Sequence, residues 1–240
     1  MALIRIGIAT FFKPVVSVVE ELFPAGTDQA MVQVQEHGWQ VDGPDRYCGR
    51  CGVSAGPYST APGGCPSCVD RPLPWQRFVR LGPYESPLTD WIRAMKFARQ
   101  WSWAEWFGQQ LAELVPDSSP GRSTVVCPVP MPRRRRWQRG FNQAQLMAGV
   151  LAVRRGWPVL ELLHRRRHRR PQAGLCLTER LANARGSFAA KSIDLSGWEV
   201  WLVDDLKTTG ATLSACARLL QRAGADYVSV AVAAVADLRK

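Results

Sequence analysis

Apolar positions recur through the C-terminal two thirds of the chain in two rhythms. Leu88, Trp91, Ile92 and Met95 fall three and four residues apart, the spacing of one helical face. Ser86-Pro87 precedes them as an N-cap followed by proline at the first helical position. Trp103, Trp106, Phe107, Leu111 and Leu114 mark a second helix, and Phe141, Ala144, Ala148 and Leu151 a third. Trp101, Trp103 and Trp106 share helical spacing and read as core packing. Residues 124–130 form a short apolar strand stopped by prolines. Residues 199–203 predict another strand, with Asp204 and Asp205 at its carboxyl end. Leu213, Cys216, Ala217 and Leu220 give the inner face of the next helix, with Gly224 as its C-cap. Residues 227–235 are almost wholly apolar, as a strand buried on both faces should be. Strand, loop, helix, strand is a crossover unit, so the expectation is an α/β domain with a parallel sheet flanked by helices.

That domain is expected to occupy residues 76–240. Residues 45–75 are rich in Cys, Gly and Pro and poor in periodicity, whereas residues 1–44 are mixed and carry no assignment. The hydrophobic share of 46% excludes a disordered chain. No uninterrupted apolar run approaches the roughly 20 residues of a membrane span. Residues 3–12 are apolar apart from Arg5 and Thr10, and read as an amphipathic structural element rather than a signal peptide. A formal charge of +11 favours anionic partners such as phosphates, nucleotides or nucleic acid.

Seven cysteines, an odd number with four of them in two CxxC pairs, argue against a disulfide framework and for a reducing cytoplasm. Cys48, Cys51, Cys65 and Cys68 form CxxC-x13-CxxC. Each knuckle can offer two thiolates to one tetrahedral zinc, and four protein ligands leave no open position for water, so the expected role is structural. Cys127, Cys176 and Cys216 sit in apolar or helical settings and read as small core residues.

Residues 200–212 carry the sharpest chemistry. A buried strand delivers Asp204 and Asp205 to its carboxyl end, where ligands bind in open α/β sheets. Thr208, Thr209, Gly210, Ala211 and Thr212 follow and open a helix. Small residues let backbone N–H groups close around a phosphate, and the helix N-terminus adds a favourable dipole. Two carboxylates cannot lie against that phosphate, but they suit ribose hydroxyls or a magnesium ion bridged to substrate oxygens. Together they predict a site for a phosphorylated ribose. Neither GxxxxGK[ST] nor GxGxxG occurs, which excludes the common nucleotide loops. No general base for an acceptor stands out.

Arg133, Arg134, Arg135 and Arg136 form one dense basic run, and residues 165–170 a second. Trp137 and Phe141 follow the first. Charge beside aromatic rings suits single-stranded nucleic acid, through phosphate tracking and base stacking. A solvated arginine-rich surface and a pyrophosphate site remain alternative readings of the same run. His164 and His168, flanked by arginines, read as surface residues.

These residues resemble the signature of the type I phosphoribosyltransferases, and several further motifs in order narrow the resemblance to the ComF family. They are the cysteine module, Tyr84, residues 92–97, residues 128–130, residues 139–143, Arg165, Arg167, Gln172, Arg180, Asn183, Phe188 and residues 203–212. The resemblance covers most of residues 45–240. It implies a type I phosphoribosyltransferase fold, phosphoribosyl pyrophosphate with magnesium as ligand, and a role in natural transformation or in the use of DNA as a nutrient. It also implies single-stranded DNA and other competence proteins as partners. On that resemblance Asp204 and Asp205 hold the ribose in the catalytic site, and residues 208–212 hold its 5-phosphate. Lys96 and Arg139 are then the residues to neutralise pyrophosphate. Lys207 departs from the pattern and adds charge near the phosphate.

Overall fold

Side chains of the central strands part alternately into two cores, and that division organises the molecule. The computed structural model describes residues 27–56, 63–166 and 186–237. In chain order the elements are α1 (Thr27–Glu36), β1 (Arg77–Pro83), α2 (Leu88–Phe97), α3 (Ser102–Leu114), β2 (Ser123–Pro128) and α4 (Arg133–Arg139). They continue with α5 (Gln143–Arg155), β3 (Leu163–Arg165), β4 (Phe188–Ala190), β5 (Trp198–Lys207), α6 (Ala211–Arg222) and β6 (Tyr227–Val235). Four strands form a parallel sheet in the order β1-β6-β5-β2. β3 and β4 form a separate antiparallel pair.

Trp201 and Val203 of β5 enter one core with Leu88, Ile92, Trp103, Phe107 and Met147 from α2, α3 and α5. Val200 and Leu202 enter the other with Leu213, Cys216 and Leu220 of α6 and with Phe188 of β4. Both faces of the sheet are therefore covered, which is why β6 is apolar along nearly its whole length. Ala30 of α1 is buried in the first core, so part of the unassigned N-terminal stretch packs on the main body. Cys127 and Cys216 are fully buried, as their apolar settings predict.

Several boundaries differ from the sequence expectation. Helix α2 begins at Leu88, and the Ser86 hydroxyl donates to the Asp90 carboxylate at 2.7 Å instead of capping the backbone. Phe141 lies ahead of α5, whose first turn starts at Gln143. Strand β5 runs four residues past residue 203, through the acidic pair to Lys207. Trp103 and Trp106 are buried, but Trp101 keeps 38% of its surface exposed. Residues 3–12, the arginines from 167 to 170, His168, Gln172, Cys176, Arg180 and Asn183 lie outside the described residues. No helix among the described residues is long and apolar enough to cross a membrane.

Candidate functional site

Alternation along β5 sends its two carboxylates different ways. Asp205 faces α2, where its Oδ1 meets Lys96 Nζ at 3.0 Å, both side chains being largely buried. Asp204 takes the α6 side, and its Oδ1 accepts a hydrogen bond from the Asp205 amide at 2.9 Å. Burial, and then the charge of Asp205, push the Asp204 carboxyl up to about 8 against the pull of that amide and of Lys96. The pair can thus hold one proton near neutral pH and present both an acceptor and a donor to hydroxyl groups.

Beyond Lys207 the chain turns on Gly210 at φ 77°, a left-handed conformation that suits glycine, and α6 begins. The Thr209 hydroxyl accepts from the Ala211 amide at 3.3 Å. Thr208 is exposed and Thr209 half-buried, so the turn is open to solvent. The amides of a first helical turn have no partner within the helix, and here they front the carboxyl edge of the sheet beside the acidic pair.

Lys207 lies in a different direction. Its side chain is buried, with Nζ 6.0 Å from the centre of the Phe78 ring, and a Cβ at Gly210 would stand 3.4 Å from its Cε. Burial lowers the affinity of that ammonium for its proton. Arg139 sits across the site. Its guanidinium lies 5.1 Å from the Phe97 ring centre, donates to Gln143 Oε1 at 3.4 Å, and feels the Asp205 charge. Arg133, Arg134, Arg135 and Arg136 lie exposed on α4, a short helix with no buried residue. Asn142 ties the turn after α4 to the residue that follows β2 by donating from Nδ2 to the Val129 carbonyl at 3.1 Å.

The cysteine quartet is assembled as its spacing predicts. The four sulfurs lie within 4.8 Å of one another, with separations of 3.8 Å (Cys48–Cys68), 3.6 Å (Cys51–Cys65) and 3.9 Å (Cys65–Cys68). A tetrahedron with bonds of about 2.3 Å to zinc has edges of about 3.8 Å. The quartet can therefore hold a metal ion such as zinc. Burial pushes the Cys51 and Cys68 thiols up, whereas at Cys48 backbone donors outweigh burial and bring it down to about 7. Four ionised sulfurs at these distances need a cation among them.

Two arginines with no role assigned from the sequence build this module. The Arg50 guanidinium donates to the carbonyls of Gly63, Cys68 (3.0 Å) and Arg71 (2.8 Å), binding the first knuckle to the second. Its own carbonyl accepts from Trp75 Nε1 at 2.7 Å. Arg80 of β1 is 1% exposed and donates to Asp42 at 2.7 Å and Ser54 at 3.0 Å, with the Tyr47 ring beside it. Its Nε and Nη1 have no partner among the described residues. An arginine in an apolar-flanked strand is the only sequence signal that could have marked Arg80.

No protein-family model matches the chain. Competence protein F of Haemophilus influenzae is 31% identical over 195 residues, spanning 77% of this chain and 82% of that protein. DNA utilization protein YhgH of Escherichia coli is 33% identical over 191 residues, spanning 76% of this chain and 81% of that protein. Competence protein ComFC of Bacillus subtilis is 34% identical over 111 residues, spanning 46% of this chain and 44% of that protein. The chain belongs to the ComF family.

Proposed function

We propose that this protein binds phosphoribosyl pyrophosphate with magnesium in a type I phosphoribosyltransferase fold and serves DNA uptake or DNA utilisation in the cytoplasm. The observation that carries this reading is the split acidic pair at the carboxyl edge of a parallel sheet, with Lys96 against one carboxylate and the turn of residues 208–212 beside the other. Asp204 and Asp205 meet the ribose hydroxyls. Thr208, Thr209, Gly210, Ala211 and Thr212 cradle the 5-phosphate. Lys96 and Arg139 neutralise the pyrophosphate. Magnesium, when bound, supplies charge neutralisation to the leaving group. In a transfer reaction the C1–O bond to pyrophosphate breaks, positive charge builds on the ribose ring, and a nucleophile attacks C1. The zinc module is structural and holds the sheet edge beside the loop. The names of the relatives, which speak of competence and DNA utilization, support the cellular role and partnership with other competence proteins.

The test is calorimetric binding of phosphoribosyl pyrophosphate with magnesium, alongside an assay of pyrophosphate release, in the wild type and in Asp204→Asn/Asp205→Asn. Binding by the wild type that drops at least tenfold in the double variant is expected. A wild type that neither binds the ligand nor releases pyrophosphate would sink the reading.

A second reading rests on α4, where residues 133–136 stand exposed beside an exposed Trp137. It makes the protein a single-stranded-DNA-binding adaptor on the same fold, without catalysis. Neutralising the four arginines should then weaken binding and flatten its salt dependence by up to about four phosphate contacts. An unchanged salt slope would remove the run from DNA binding.

A further inference from the structure

Two groups of aromatic residues around α2 and α3 differ in their surroundings. Trp91, Trp103, Trp106 and Phe107 pack face and edge in the first core, with Trp91 stacked on Trp103 at 4.6 Å. Phe97, Trp101, Trp137 and Phe141 do not. Phe97 ends α2 with 73% of its surface exposed, and Trp137 on α4 is 87% exposed. Single exposed rings need no explanation, but Phe97, Trp101 and Phe141 are drawn together by the fold, whereas Trp137 stands two residues before Arg139 on α4 and so on another face of that helix. The turn between α2 and α3 brings Trp101 to within 5.6 Å of Phe141 in the turn between α4 and α5. The Arg139 guanidinium covers one part of Phe97 and is held in place by Gln143. Phe97 is also next in sequence to Lys96, which grips Asp205. The result is a ledge of ring faces on the rim of the acidic pair.

Charge decides what such a ledge meets. Residues 118–160 contain eight arginines and no Asp or Glu. Four of the eight stand exposed around the first turn of α4. Polyanion backbone on those arginines would carry its planar groups past the rings, and ring faces accept any base because every base has a π-face. We propose that Phe97, Trp101 and Phe141 form a base-stacking ledge, on which one or two nucleobases of a single DNA strand rest while the phosphates follow α4. This rests on the second reading above and adds to it a base site beside the acidic pair.

The experiment compares a 12-nucleotide oligothymidylate with an abasic oligomer of the same length, by fluorescence anisotropy across salt concentrations. It uses the full chain as wild type, Phe97→Ala/Trp101→Ala and Phe97→Tyr. Both targeted rings are exposed, so the variants should melt with the wild type. The double variant is expected to lose about 5- to 100-fold in affinity for oligothymidylate and less than twofold for the abasic strand, with the salt slope unchanged. Phe97→Tyr keeps a ring face and is expected to keep the affinity. Equal losses on the two oligomers, or no loss on either, would overturn the ledge and leave the arginine reading standing. Failure of the wild type to bind either oligomer would overturn both. Displacement of the strand by micromolar thymidine monophosphate would mark a free-nucleotide site and overturn the strand assignment. Variants impaired only on phosphatidylglycerol vesicles would show that the rings meet a membrane, and would overturn it too. Binding of phosphoribosyl pyrophosphate by Trp101→Ala alone, which leaves the Arg139–Phe97 contact in place, is expected to stay at the wild-type level, which separates this test from that of the acidic pair.

Discussion

Asp204 folds into a place that favours its neutral form. A carboxyl whose pKa rises on folding from 3.8 to about 8 gives its full stabilising contribution below pH 3.8 and loses it as pH climbs through 8. Asparagine carries no charge at any of these values and keeps the oxygen that accepts from the Asp205 amide. Asp204→Asn should therefore gain stability over the wild type progressively between pH 4 and pH 8, and level off above that. A tenfold change in proton affinity corresponds to about 1.4 kcal/mol, but Asp204 is only half-buried and Lys96 is near, so a gain of about 1–3 kcal/mol is expected. Urea denaturation at pH 4.5, 6, 7.5 and 9 checks it, and a gain that does not vary with pH would refute it. The pair itself was legible because two adjacent acids at the end of an apolar run are costly without a purpose. Its partners were not. Lys96 entered through a family resemblance, and the direction of Lys207 depends on Phe78 and Gly210, which no local pattern connects.

Gly108 shows how elements set their own spacing. It lies in α3 where α5 passes, and a Cβ there would stand 2.7 Å from Val150 Cβ and 2.8 Å from the Met147 carbonyl oxygen. Alanine in a helix interior is worth up to about 1 kcal/mol over glycine. Overpacking against a backbone atom costs about 1–3 kcal/mol, so the clash should win. Gly108→Ala is expected to lower stability by about 1–2 kcal/mol in urea unfolding, and a variant as stable as the wild type would show that the two helices can part freely. Elements with an apolar rhythm, such as α2, α3, α6 and β6, were readable from the chain alone. Strand β1 was not, because Arg77, Arg80, Gly82 and Pro83 break its pattern and Arg80 finds its partners 26 and 38 residues away. Helix α4 has no buried face, so periodicity offers nothing to detect. β5 was cut short for the opposite reason: Asp204, Asp205 and Lys207 interrupt its apolar run at the candidate site.

At the scale of the molecule, the parallel sheet follows from a crossover visible in the sequence, and the cysteine cluster follows from its spacing. How the two meet does not follow from either. Phe78 of β1 donates its amide to the Gly49 carbonyl at 2.8 Å, and Trp75 donates to Arg50. A Cβ at Gly210 would lie 3.8 Å from that same Trp75 ring. The first knuckle, the Trp75–Phe78 pair and the turn that opens α6 are thus layers of one wall. Two sites that share a wall are linked in both directions: if metal in the knuckles firms the turn, then a ligand in the turn must hold the metal more tightly by the same factor. In an equilibrium competition with a chromophoric chelator, the affinity for zinc should rise about fivefold when phosphoribosyl pyrophosphate and magnesium are present, and equal affinities would show that the wall transmits nothing. The metal would then report on the ligand. Occupancy of a site with no chromophore of its own could be followed from the far side of the sheet edge, by how tightly four sulfurs hold an ion.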